Sequence, residues 1–82
     1  MSTIFITGSS SGIGKETAKL FAEKGWTVIA TMRTPEKEKE LTSYENVKLY
    51  PLDITKPEQI EETVSAVLAE HEVDVLFNNA GY

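Results

Sequence analysis

Eighty-two residues, 40% of them hydrophobic and 26% charged, suffice for one small globular domain and argue against intrinsic disorder. A net charge of −5, with eight Lys and Arg scattered among thirteen Asp and Glu, supplies no basic stripe and argues against a nucleic-acid partner. The absence of cysteine removes thiolate chemistry, one histidine cannot build a zinc cluster, and no stretch approaches the ~20 apolar residues of a membrane helix, so neither metal nor membrane is expected.

Met1-Ser2-Thr3 has no basic region ahead of a long apolar run and does not read as a secretory signal, which makes a cytoplasmic location the expectation. Thr3 to Thr7 (TIFIT) is a short β-rich run ending at a glycine-serine loop, and it predicts a buried strand. From Ile13 the pattern turns helical, with Ile13, Thr17, Leu20 and Phe21 on one face and Gly25 just past the last turn. Trp26 to Thr31 (WTVIAT) predicts a second strand. Thr34-Pro35 then opens a short charged helix, with Thr34 as cap and Pro35 in the first position. The alternating run Glu36-Lys37-Glu38-Lys39-Glu40 reads as its solvated face.

Val47 to Leu52 contains a third strand that ends at Asp53. Thr55-Lys56-Pro57-Glu58 has the form of a capping box and starts a helix with Ile60, Val64, Val67, Leu68 and His71 on one face. Val73 to Phe77 predicts a fourth strand, running into Asn78-Asn79-Ala80-Gly81. Strands and helices in strict alternation predict an α/β fold: a partial doubly wound Rossmann fold over residues 1–82, a single domain with four parallel strands in the order 3-2-1-4. The fourth strand would be an apolar edge, so the sequence reads as cut short, and such an edge would drive self-association.

Gly8, Gly12 and Gly14 stand between the first strand and the first helix. Glycines there let backbone N–H groups at a helix N-terminus approach a pyrophosphate, and Ser9, Ser10 and Ser11 add hydroxyl donors. An ordinary strand-to-helix connection is the alternative. A Walker A loop is not, because Gly14-Lys15 is followed by Glu16 rather than Ser or Thr.

Thr7-Gly8-Ser9-Ser10-Ser11-Gly12-Ile13-Gly14 resembles the TGxxxGxG cofactor loop of the short-chain dehydrogenases/reductases, and Asn78-Asn79-Ala80-Gly81 resembles their NNAG motif. The resemblance covers the whole chain but not the family's C-terminal two-thirds. It implies an NAD(P)-dependent oxidoreductase acting on a carbonyl or secondary alcohol, and cofactor contacts from Thr7, Gly8, Ser10, Ser11, Gly12, Ile13 and Gly14. At the end of the second strand an acid would bind the ribose 2′-hydroxyl of NAD(H), whereas an arginine accommodates a 2′-phosphate. Met32 stands where NAD-preferring members carry the acid and Arg33 follows it, so NADP(H) is expected rather than NAD(H), with Ser11 able to reach the same phosphate. By the same resemblance Asp53 and Ile54 contact the adenine, and Asn79, Ala80 and Gly81 line the ribose. Read without it, Asp53 is simply a turn acid entering the next helix.

The family's acid is a tyrosine four residues before a lysine on a helix. Tyr44 and Lys48 have that spacing, but they precede NNAG and Lys48 falls at the start of a strand, which puts i and i+4 about 13 Å apart. Tyr82 has no lysine after it, Ser43 and Ser65 have no positioned base, and His71 belongs to an apolar helix face. No catalytic residue is therefore assigned. Two readings follow: the NADP(H)-binding fragment of a short-chain oxidoreductase, or a stand-alone NADP-binding module acting as sensor or interaction half. Family members are often dimers or tetramers, so a homo-oligomer is compatible with either.

Overall fold

A computed structural model describes residues 2–9 and 12–78. The described elements are β1 (Thr3–Thr7), α1 (Gly12–Glu23), β2 (Thr27–Met32), two single 3-10 turns (Pro35–Lys37 and Leu41–Ser43), β3 (Val47–Pro51), α2 (Pro57–Glu70) and β4 (Val75–Asn78). The strands form one parallel sheet in the order β3-β2-β1-β4, as the alternating pattern predicts. Ile4 sits opposite Val28 on one side and Val75 on the other, which fixes the register.

Period-two alternation divides the sheet between two apolar layers. Ile4, Ile6, Val28, Ala30, Met32 and Val47 face α1, while Phe5 and Ile29 face α2 with Leu52 and Val67. This is the pattern of a parallel sheet covered on both faces. Each fully buried Ile or Val contributes about 1.5–3 kcal/mol through its area removed from water.

Helix α1 does not bury the face its large residues mark. Gly14, Ala18 and Ala22 point at the sheet, whereas Ile13 and Leu20 are 69% and 51% exposed. Small residues spaced by four let the helix axis lie close to the strands. That rotates Ile13 and Leu20 outward and leaves Phe21, on the shared flank, against the core.

The helix ends as Gly25 predicts. The Gly25 N–H donates to Ala22 and the Trp26 N–H to Phe21, both at 3.1 Å, with Gly25 at φ 87°. These are the two bonds of a Schellman motif, and its apolar contact is the edge-on packing of Trp26 against Phe21 at 4.8 Å.

Two other sequence expectations are corrected. The charged helix after Thr34 is a single 3-10 turn, Thr34 makes no side-chain cap, and Glu38 from the supposedly solvated face is buried. At α2 the N-cap position belongs to Lys56 rather than Thr55. Thr55 is drawn back to Asp53, a charged acceptor two residues away, and both its N–H and its hydroxyl donate to Oδ1. Gln59 takes the returning role expected of Glu58, accepting from the Asp53 N–H.

Of the α2 face, Val67 is buried, Ile60 and Val64 pack against Phe5 and Ile29, and Leu68 is 59% exposed. Thr63, not anticipated, is buried and donates its hydroxyl to the Pro51 carbonyl at 2.7 Å. His71 lies past the helix as its C-cap. β4 is one edge of the described sheet, and Leu68 and Leu76 there line an apolar groove with Phe5, Val64 and Val73.

Candidate cofactor site

All four strands point their carboxyl ends the same way, so Thr7, Met32, Pro51 and Asn78 mark one rim of the sheet. The chain crosses from β1 to β2 through α1 on one face and from β3 to β4 through α2 on the other. Ligands of open α/β sheets bind where that switch occurs. At the rim Thr7 donates its hydroxyl to Asn78 Oδ1 at 3.1 Å, tying the loop to the start of the Asn78-Asn79-Ala80-Gly81 motif.

Gly8 and Gly12 bracket the loop at φ 66° and 60°, a region that costs other residues roughly 1–2 kcal/mol. Among the described residues, a Cβ on Gly12 would meet nothing within 4 Å beyond its chain neighbours and its own helix backbone, so the need for glycine there is conformational. Gly14 is buried inside the first turn of α1 and Ile13 stands exposed beside it. Ser9, expected to offer its hydroxyl to a ligand, is instead fully buried, with Oγ 3.2 Å from the carbonyls of both Ile6 and Thr31. Ser10, Ser11, Asn79, Ala80 and Gly81 lie outside the described residues.

A cavity of about 670 Å³ opens beside the loop. Of the residues predicted from sequence it gathers Thr7, Gly8, Arg33 and Ile54; Gly12, Ile13, Gly14 and Asp53 are not among those lining it. Arg33 is exposed, with Nε 4.0 Å from Asp53 Oδ1. The two Thr55 hydrogen bonds, with a smaller contribution from Arg33, hold the Asp53 carboxyl below its ordinary range. The Asp53 Oδ1 accepts both bonds from Thr55 within the turn, and of that pair Ile54 lines the cavity.

The sequence also missed an ion-pair cluster on the cavity wall. Lys15 lies 3.2 Å from the Glu38 carboxylate and 3.3 Å from that of Glu40, and Lys19 lies 2.5 Å from Glu40. In the sequence Lys15 follows the glycine loop like a Walker lysine, and the sign alternation of residues 36–40 conceals that one member turns inward. Lys15, Arg33, Lys37 and Lys39 line the cavity against Glu38 and Glu40, an excess of cations in a chain of net charge −5. Among the described residues no cluster could hold a metal ion, and no helix is long and apolar enough to cross a membrane.

The model of the family described as short chain dehydrogenase matches residues 2–82. The chain belongs to the short-chain dehydrogenase family. Dehydrogenase/reductase SDR family member 6 of Aquarana catesbeiana is 43% identical over 79 residues, covering 96% of this chain and 31% of that protein. A short-chain dehydrogenase from Streptomyces avermitilis superposes with a TM-score of 0.91 at 38% identity, over 98% of this chain and 30% of that one. A short-chain dehydrogenase/reductase from Burkholderia multivorans with bound NADP gives 0.82 at 35%, over 98% and 36%. 4-Hydroxyisoleucine dehydrogenase complexed with NADH gives 0.81 at 29%, over 100% and 34%. This short-chain dehydrogenase chain therefore spans about a third of the length of the relatives it matches.

Tyr82 lies outside the described residues, and the Tyr44–Lys48 spacing has a structural account. Tyr44 donates its hydroxyl to Glu23 at 3.1 Å, and Lys48 stands on β3, so the Y-x-x-x-K spacing places no acid beside a lysine on a helix.

Proposed function

We propose that residues 1–82 form a single Rossmann unit, the NADP(H)-binding portion of a short-chain oxidoreductase. The observation that carries this reading is the cavity at the carboxyl ends of β1, β2 and β3, bounded by Gly8 in its left-handed conformation and lined by four cations against two carboxylates. Such an arrangement concentrates anions despite the chain's overall negative charge. The donor set fits a phosphorylated dinucleotide: backbone N–H groups of Gly8, Gly12, Ile13 and Gly14 for the pyrophosphate, the Arg33 guanidinium for a 2′-phosphate and the Ile54 side chain for the adenine.

Preference for NADP(H) over NAD(H) rests on Met32, buried and uncharged at the end of β2, and on Arg33 immediately after it. Relatives of known structure carry either nucleotide, so the local residues and not the fold must decide. Asp53, Ser10, Ser11, Asn79, Ala80 and Gly81 join the site by resemblance to the family. When bound, NADPH supplies a hydride to a carbonyl, or NADP accepts one from a secondary alcohol. This chain's residues bind and orient the nucleotide and none is assigned to proton transfer.

Calorimetric titration of the full chain with NADPH and NADH tests the proposal. We expect NADPH to bind at least about tenfold more tightly, the scale of one charge-assisted phosphate contact. Equal affinities would remove the assignment of Arg33, and no binding of either would remove the function.

A further inference from the structure

Among the described residues Glu38 is the one charged residue that is buried, and it lies within a segment whose neighbours are exposed. Its side chain, 3% exposed, reaches back from the β2–β3 connection to the first turn of α1. There one carboxylate oxygen meets Lys15 at 3.2 Å while the other accepts the Leu41 N–H at 2.9 Å. The contact is the only described ion pair with both partners mostly shielded from water, and it closes across the cavity wall from the glycine loop.

Between β2 and Glu38 the chain has one 3-10 turn, and Arg33 and Lys37 project from this short connection onto the cavity. Segments of this kind lose conformational freedom when a ligand orders them, and fixing them beforehand spares that loss. We propose that Glu38 is a positioning residue for nucleotide specificity: by clamping the connection to Lys15 it presents Arg33 and Lys37 to the 2′-phosphate. This inference rests on the NADP(H) reading above.

Its sign separates it from simple electrostatics. Removing a carboxylate from the cavity wall makes the wall more positive, so charge alone would tighten NADPH binding. Loss of the clamp weakens it. Titrating the full chain, we expect Glu38→Ala to weaken NADPH about three- to tenfold while NADH changes less than about twofold. Glu38→Gln keeps an acceptor for the Leu41 N–H and guards against a folding defect; it should move NADPH in the same direction by a smaller factor. Tighter NADPH binding, equal losses for both nucleotides, or unchanged NADPH affinity in both variants overturns the inference while leaving the wild-type preference standing. A wild-type chain without preference overturns the cofactor reading and this inference together.

Discussion

Ser9 donates its backbone N–H to the Thr31 carbonyl at 3.0 Å, and its hydroxyl lies 3.2 Å from that same oxygen. One residue thus pins the glycine loop to the end of β2, just before Met32 and Arg33. Thr31 reciprocates, donating its hydroxyl to the Ile6 carbonyl at 2.8 Å. The two segments expected to hold opposite ends of the nucleotide's phosphate system are therefore locked together by buried hydrogen bonds.

Ser9→Ala should cost about 1 kcal/mol of stability, read by urea denaturation. The loss stays modest because both carbonyls keep another donor: Thr31 Oγ1 for Ile6, and the Ser9 N–H for Thr31. NADPH and NADH should weaken together, since the change touches loop geometry and not the discriminating phosphate.

Gly12→Ala places a Cβ at φ 60° and should destabilise by about 1–2 kcal/mol. Because a Cβ there meets nothing among the described residues outside its own neighbours and helix, Gly12→Asn should cost less, asparagine tolerating the left-handed region better. Thermal unfolding of the two variants gives the ranking. Equal Tm losses would mean that something other than backbone conformation requires glycine.

Opposite pH limbs should appear in the thermal stability. Bonds from Lys19 and then Lys15 lower the Glu40 carboxyl, and Thr55 lowers that of Asp53. Groups depressed on folding contribute fully above their unfolded values and lose that contribution as pH falls through the folded ones, below about pH 4. Lys15, raised chiefly by Glu38, and Lys19, raised by Glu40, behave the other way: their contribution is complete below the ordinary lysine range and is lost above it. Tm should be flat between about pH 6 and 9 and fall on either side. Glu40→Gln should flatten both limbs. Molar salt should shrink the effect, because Glu40 is exposed.

What could be read from sequence follows from which signals are local. Strand order came from alternation, and the end of α1 from Gly25, whose Schellman bonds need only neighbouring residues. The face of α1 is hidden in the sequence because large side chains dominate a periodicity, while packing against a sheet selects Gly14, Ala18 and Ala22. Glu38 and Ser9 are illegible for another reason. Each acquires its role from a partner 22 or 23 positions away, Thr31 for Ser9 and Lys15 for Glu38, and nothing in the local pattern marks such a residue as buried. Thr55 failed as a cap because the nearby Asp53 carboxylate competes for its hydroxyl.

The proposed function assigns the preference for the phosphorylated nucleotide to Arg33, and comparing Arg33→Ala with wild type for NADPH and NADH tests this most directly. Loss of one charged phosphate contact should weaken NADPH by about tenfold or more and leave NADH within about twofold, bringing the two affinities together. A preference for NADPH that survives the substitution would contradict the assignment.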